Sequence, residues 1–216
     1  MLQQNMLGGA LVEVAGPLKD FAEKLGGEEG GDWFAAFKRF LRKENPWLDP
    51  TGTFVSDILE PVGLIILPDT AGKFIARDRF VVDTSPQAPV KISYLNKNFQ
   101  EWFLDIVEGC VGGTTLRCQK LRISSLDESI VAELGGKCKA VVALSELYAT
   151  MLQQGDGKAG LLHTDGGANV LYVFDINGLL RAVYVSWYGG GWYVFADPVG
   201  FPSRWSDGSH ILSRNF

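Results

Sequence analysis

His163 and His210 are the chain's two histidines, so any imidazole acid–base chemistry near neutral pH starts from one of them. His163 opens the tripeptide His163-Thr164-Asp165, just before the aromatic run that starts at Asn169. A Cys/His nucleophilic site would also need a nucleophile such as Cys110 or Cys118 beside His163 in space, and sequence alone does not bring them together. His163, Asp165 and His210 could hold a metal, yet HxD is a loose pattern, and the chain lacks HxH, HExxH and paired CxxC spacing. The stretch Gly109-Cys110-Val111-Gly112-Gly113-Thr114 fits no phosphate-cradling motif and reads as a turn. Asp156, Asp165, Asp175 and Asp207 each lie near glycine or asparagine, as turn residues do, without the oxygen-ligand series of a calcium loop. These patterns designate no catalytic residue, no metal ligand and no cofactor.

A different chemistry is suggested by the aromatic run Asn169 to Ala196, which reads as a β-meander. Asn177-Gly178 between apolar runs predicts a two-residue type I′ turn. That turn would oppose Ile176 to Leu179, Phe174 to Arg181, Tyr172 to Val183 and Val170 to Val185 on one face. Leu171 with Tyr184 and Val173 with Ala182 would share the other. Gly189, Gly190 and Gly191 allow a loop of two or three residues. The shorter loop, which we favour, sets Trp187 beside Trp192, Val185 beside Val194, Tyr184 beside Phe195 and Ser186 beside Tyr193. The face of Val170, Val185 and Val194 is then core. The face of Tyr184, Tyr193 and Phe195 is either covered by helices, the common α+β arrangement, or offered to a partner, since Tyr and Trp are frequent at interfaces.

The rest of the chain must position this meander. Leu18, Phe21 and Leu25 mark a helix over Pro17 to Leu25, ended by Gly26 to Gly31. Asp32 is the expected N-cap of a second helix carrying Trp33, Phe34, Phe37, Phe40 and Leu41, stopped by Asn45-Pro46. Lys38, Arg39, Arg42 and Lys43 on that helix could contact phosphates, but they read as a solvated face complementing the helix dipole. Strands are predicted at Val62 to Leu67, Lys73 to Ala76, Arg79 to Val82, Val90 to Leu95, Thr114 to Ile123 and Lys139 to Leu144. Asn96 should cap a helix with Phe99, Trp102, Phe103 and Ile106 on one side. Ser145 should cap another, running to Gln154, with Leu147, Met151 and Leu152 inward. The expected architecture is α+β: a mainly antiparallel sheet with a C-terminal β-meander packed by helices, plus a helical N-terminal segment. Residues 1–50 form that segment and 51–216 the α+β domain.

Composition sets the outer bounds. At 216 residues, 46% hydrophobic and a net charge of −5, the chain can bury a sizeable core and is unsuited to broad attraction to nucleic acid or anionic membrane. It has no 18-residue apolar run, its N-terminus makes a poor secretory signal, and its cysteines are odd in number. A cytoplasmic location without membrane association is expected. The strings Phe37 to Trp47, Val90 to Leu104 and Trp192-Tyr-Val-Phe-Ala-Asp-Pro-Val resemble uncharacterised bacterial proteins of unknown function. That resemblance implies a bacterial, intracellular origin and carries over no activity, cofactor, partner or functional residue. The functional expectation is a non-enzymatic macromolecular interaction protein binding another protein through Tyr184, Tyr193 and Phe195. The alternative is a small-molecule enzyme with a pocket near His163, Asp165 and one cysteine. Oligomeric state is not legible in the sequence.

Overall fold

A computed structural model describes residues 19–27, 30–41, 58–69, 72–110, 112–200 and 204–215. The chain divides into two compact units, Met1–Val55 and Ser56–Phe216. In the first, residues 19–25 are helical and a second helix spans Gly30–Leu41. The ring of Phe21 meets Phe37 at 4.7 Å, and Lys24 and Lys38 lie over Trp33 and Phe34. The second helix starts at Gly30, so Asp32 sits inside its first turn and is not its N-cap. Arg42 and Lys43, half of the basic cluster, fall outside the described residues.

In the second unit the described strands are β1 (Leu59–Leu67), β2 (Phe74–Ile75), β3 (Ile92–Leu95), β4 (Val107–Glu108), β5 (Thr114–Leu121), β6 (Asn169–Phe174), β7 (Leu180–Tyr188), β8 (Gly191–Pro198) and β9 (His210–Arg214). Seven form one sheet in the order β1-β5-β9-β6-β7-β8-β3, and β2 pairs separately with β4. The pairings of β6 with β9 and of β3 with β8 are parallel, and the other pairings of this sheet are antiparallel. The fold is thus α+β around a mixed, mostly antiparallel sheet.

The two hairpins of the meander differ in how their turns set register. Gly189 and Gly190 both take positive φ, and this two-residue turn gives the expected partners Trp187 with Trp192, Val185 with Val194 and Tyr184 with Phe195. The first hairpin does not follow expectation. Phe174 pairs with Leu180, Leu171 with Val183 and Val170 with Tyr184, one residue out of the register a two-residue turn would give. Asp175 explains the shift. Its backbone N–H donates to the Leu179 carbonyl, while its fully enclosed carboxylate accepts from the N–H groups of Asn177 and Leu179 and from Arg181 Nε. Gly178 in the left-handed region closes a three-residue loop with a bulge. Because side chains alternate, a one-residue slip exchanges faces. Val170 therefore lies on the opposite face from Val185 and Val194, with Tyr184.

Both faces hold apolar cores. On the first, Ile65, Leu116, Leu171, Val183, Val185, Trp192 and Val194 pack against Phe99 and Phe103 of the Lys97–Phe103 helix and Leu147 and Met151 of the Leu144–Gln153 helix. On the second, Leu121, Ile211, Val170, Tyr172 and Ala182 pack against Ile130 and Val131 of the Asp127–Glu133 helix and Ala140 of the Lys137–Ala140 helix.

Asn96 caps the Lys97–Phe103 helix as expected, its side-chain oxygen accepting from the Phe99 N–H at 2.8 Å. Ser145 is not a cap, because the Leu144–Gln153 helix starts from Ala143. Its N-terminal N–H groups go instead to carboxylates: Glu108 accepts from Leu144 and Ser145, and Glu146 accepts from Ala143. Leu152 on this helix is exposed. The strand expected over Lys139 to Leu144 does not form, since one helix ends at Ala140 and the next starts at Leu144, and Arg79 ends a short helix, Ala76–Arg79, that does not continue as a strand. Both segments are too short for periodicity to separate strand from helix.

Candidate functional site

On the second face the helices over 127–140 cover β9, β6 and the Ala182 end of β7, and the face beyond, over the rest of β7, β8 and β3, carries partly exposed side chains. That part is aromatic. Alternation along β7 puts Tyr184 and Tyr188 on this face, and alternation along β8 puts Tyr193 and Phe195 beside them. Strand β3, from a distant part of the sequence, pairs parallel to β8 and sets Tyr94 opposite Tyr193. Trp205 arrives from the segment before β9, bridged to Ser125 by two backbone hydrogen bonds.

These rings form one connected surface. Trp205 meets Tyr184 edge-on at 4.9 Å, and Tyr184 stacks on Phe195 at 4.9 Å with only 12° between planes. Tyr94 contacts Phe195 at 5.6 Å and Tyr193 at 5.7 Å, and Tyr188 meets Tyr193 edge-on at 5.6 Å. All these separations lie in the range in which aromatic pairs attract beyond simple area burial. Tyr94 and Tyr188 are about half exposed, at 44% and 50%, and Tyr184, Tyr193, Phe195 and Trp205 are partly exposed. Within the second unit, no described helix seals this patch as Ile130 and Ala140 seal its neighbour.

One end of the patch is fixed by a buried carboxylate. Asp127 Oδ1 accepts from Trp205 Nε1 at 2.7 Å and from the Tyr172 hydroxyl at 2.9 Å, and its other oxygen accepts from the Gly200 N–H. Burial, helped by the neighbouring Asp127 charge, pushes the Tyr172 hydroxyl far above the ordinary phenol range. It therefore stays a hydrogen-bond donor at any physiological pH. Tyr184 is pushed up to about 12, first by burial and then by the charge and hydrogen bond of Asp197. Both phenols thus present neutral rings.

The histidines lie elsewhere, on the loop 154–168 and at the start of β9. The structure brings His163, Asp165 and His210 together. The imidazoles stack at 3.7 Å between centroids and 32° between planes, and Asp165 Oδ1 stands 3.3 Å from His163 Nδ1. Their nitrogens do not converge on a common point. His163 Nε2 donates to the Gly208 carbonyl at 2.9 Å, and His210 Nδ1 donates to the Leu161 carbonyl at 2.8 Å. Among the described residues no group of three His, Cys, Asp or Glu side chains is arranged to hold a metal ion.

Cys118 donates its thiol to the same Leu161 carbonyl at 3.5 Å, which makes it a neighbour of the pair. Burial pushes that thiol up to about 12, leaving almost no thiolate at neutral pH. Cys110 and Cys138 are exposed free thiols. Among the described residues no helix is long and apolar enough to cross a membrane.

Of the side chains singled out in the sequence, Tyr184, Tyr193 and Phe195 do come together on one partly exposed surface. Tyr188 was reachable by the same alternation that places Tyr184. Tyr94, Trp205 and Asp127 were not, because a parallel long-range pairing and an irregular segment bring them in. No protein-family model, no curated protein and no solved structure matches this chain.

Proposed function

We propose that this chain is a cytoplasmic, non-enzymatic binding protein that contacts another protein through the aromatic patch of Tyr94, Tyr184, Tyr188, Tyr193, Phe195 and Trp205. The observation that carries the proposal is the ring-to-ring continuity of these six partly exposed side chains on a sheet face that the second unit's own described helices leave open. Such a surface supplies large, stiff, amphipathic contact area with hydroxyls at its margin, the composition of interface hot spots. Free exposed thiols at Cys110 and Cys138 fit a reducing compartment. A photo-crosslinking amino acid placed at Tyr94 or at Tyr188, in cells of the native host, should capture the same protein from both positions. The same residue at exposed Asp105 should not. If neither patch position yields an adduct absent from the control, the reading fails.

A second reading, a small-molecule enzyme near His163 and Asp165, has one observation in its favour: the convergence of His163, Asp165 and His210, with Cys118 on a shared acceptor. Burial of the Cys118 thiol places it second, since a nucleophile must ionise. Rapid alkylation of Cys118 in the folded protein at neutral pH would promote it.

A further inference from the structure

We propose that the stacked His163 and His210 form a pH-sensitive latch on the loop 154–168, whose release on acidification frees the Tyr188 end of the aromatic patch. The latch stands on geometry, and its regulatory consequence rests on the binding reading above. Each imidazole spends an N–H on a backbone carbonyl of the opposite segment, so the loop and the start of β9 are pinned from both sides. A carbonyl can only accept, which fixes the donor nitrogen of each ring. His163 then has its second nitrogen facing Asp165.

A proton on His210 would stand 3.7 Å from the His163 ring, centroid to centroid, with Lys120 paired opposite on β5, and the Leu161 carbonyl and Asp165 offset these costs only in part. Cys118, sharing the Leu161 carbonyl, stays neutral. Burial and the His163 charge accordingly hold His210 below its ordinary pKa. The sign follows from linkage. The latched state binds this proton more weakly than the released loop, so it loses stability as pH falls below about 6.5 and loses none above.

The loop transmits release to the patch. Tyr188 donates its hydroxyl to the Gly166 carbonyl at 2.8 Å, and Gly157 lies so close to the Trp187 ring that an added Cβ would sit 2.1 Å from it. Tyr188 is also the edge-on neighbour of Tyr193. Opening the loop removes the hydroxyl's acceptor at one side of the surface.

Ring-proton NMR of the full chain, followed from about pH 8 to about pH 5 across the histidine range, tests the latch without any partner. The His210 ring should titrate below the ordinary histidine value. Over the same interval the Leu162 and Gly167 amides should lose about tenfold in exchange protection, after correction for intrinsic rates. Titration of His210 at or above the ordinary histidine value would overturn the latch. So would an acid loss of protection that persists in the doubly substituted His163→Gln, His210→Gln chain. If the latch titrates as expected while partner affinity stays constant across the interval, the regulatory claim fails and the binding reading survives.

Discussion

The two faces of the sheet use the same strands and opposite fates. On the first face Val183, Val185, Trp192, Val194 and Ala196 are fully enclosed beneath two helices. On the second, enclosure by the helices over 127–140 stops at Ala182, and the next side chains outward, Tyr184, Phe195, Tyr193 and Tyr94, are partly exposed rings. The difference separates two jobs that alternate residue by residue along β7 and β8. Residues pointing one way are enclosed, and the rings that alternate with them, Tyr184, Tyr193 and Phe195, are partly exposed.

Substitutions can break or sharpen that contrast, and the largest effect belongs to the closed face. Trp192→Ala should destabilise by about 3–5 kcal/mol, measured by urea unfolding, because loss of a fully buried indole leaves a cavity and removes one of the two donors to the Gln154 carbonyl. In the covered half of the second face, Tyr172→Phe removes one donor from buried Asp127 and should cost about 1–3 kcal/mol by the same assay. On the open half, Tyr193→Ala should cost about 1 kcal/mol or less, the scale of a cross-strand pair, while partner binding collapses. A cost comparable to that of Trp192→Ala would mean that the patch is core after all. The smallest effect is chemical: an alkylating reagent at neutral pH should modify Cys110 and Cys138 and leave Cys118 untouched until the chain unfolds, counted by mass spectrometry.

How much of this was legible in the sequence depended on the range of the interaction that decides each feature. The second hairpin followed from local turn chemistry, since Gly189-Gly190 fixes register by backbone alone. The first hairpin misled because Asn177-Gly178 is an equally strong local signal, overridden by the carboxylate of Asp175 and by the Arg181 guanidinium stacked 3.9 Å over Trp102. Nothing in the pattern of β6 announces that tertiary contact. The aromatic anchors were readable on β7 and β8. Tyr94 and Trp205 were not, because the pairing of β3 to β8 and the Asp127 to Trp205 hydrogen bond join segments about a hundred residues and 78 residues apart. Likewise His163, Asp165 and His210 could be named as a set, but only the fold reveals stacked rings turned toward carbonyls.

The most direct test of the central claim, that the open half of the second face is a binding surface and not unfinished core, is the affinity of the partner captured at Tyr94 or Tyr188 for the Tyr193→Ser, Phe195→Ser chain. Calorimetry should show at least about a hundredfold weaker binding, as loss of two interface anchors implies, with a melting temperature close to that of the unsubstituted chain. Unchanged affinity would contradict the account.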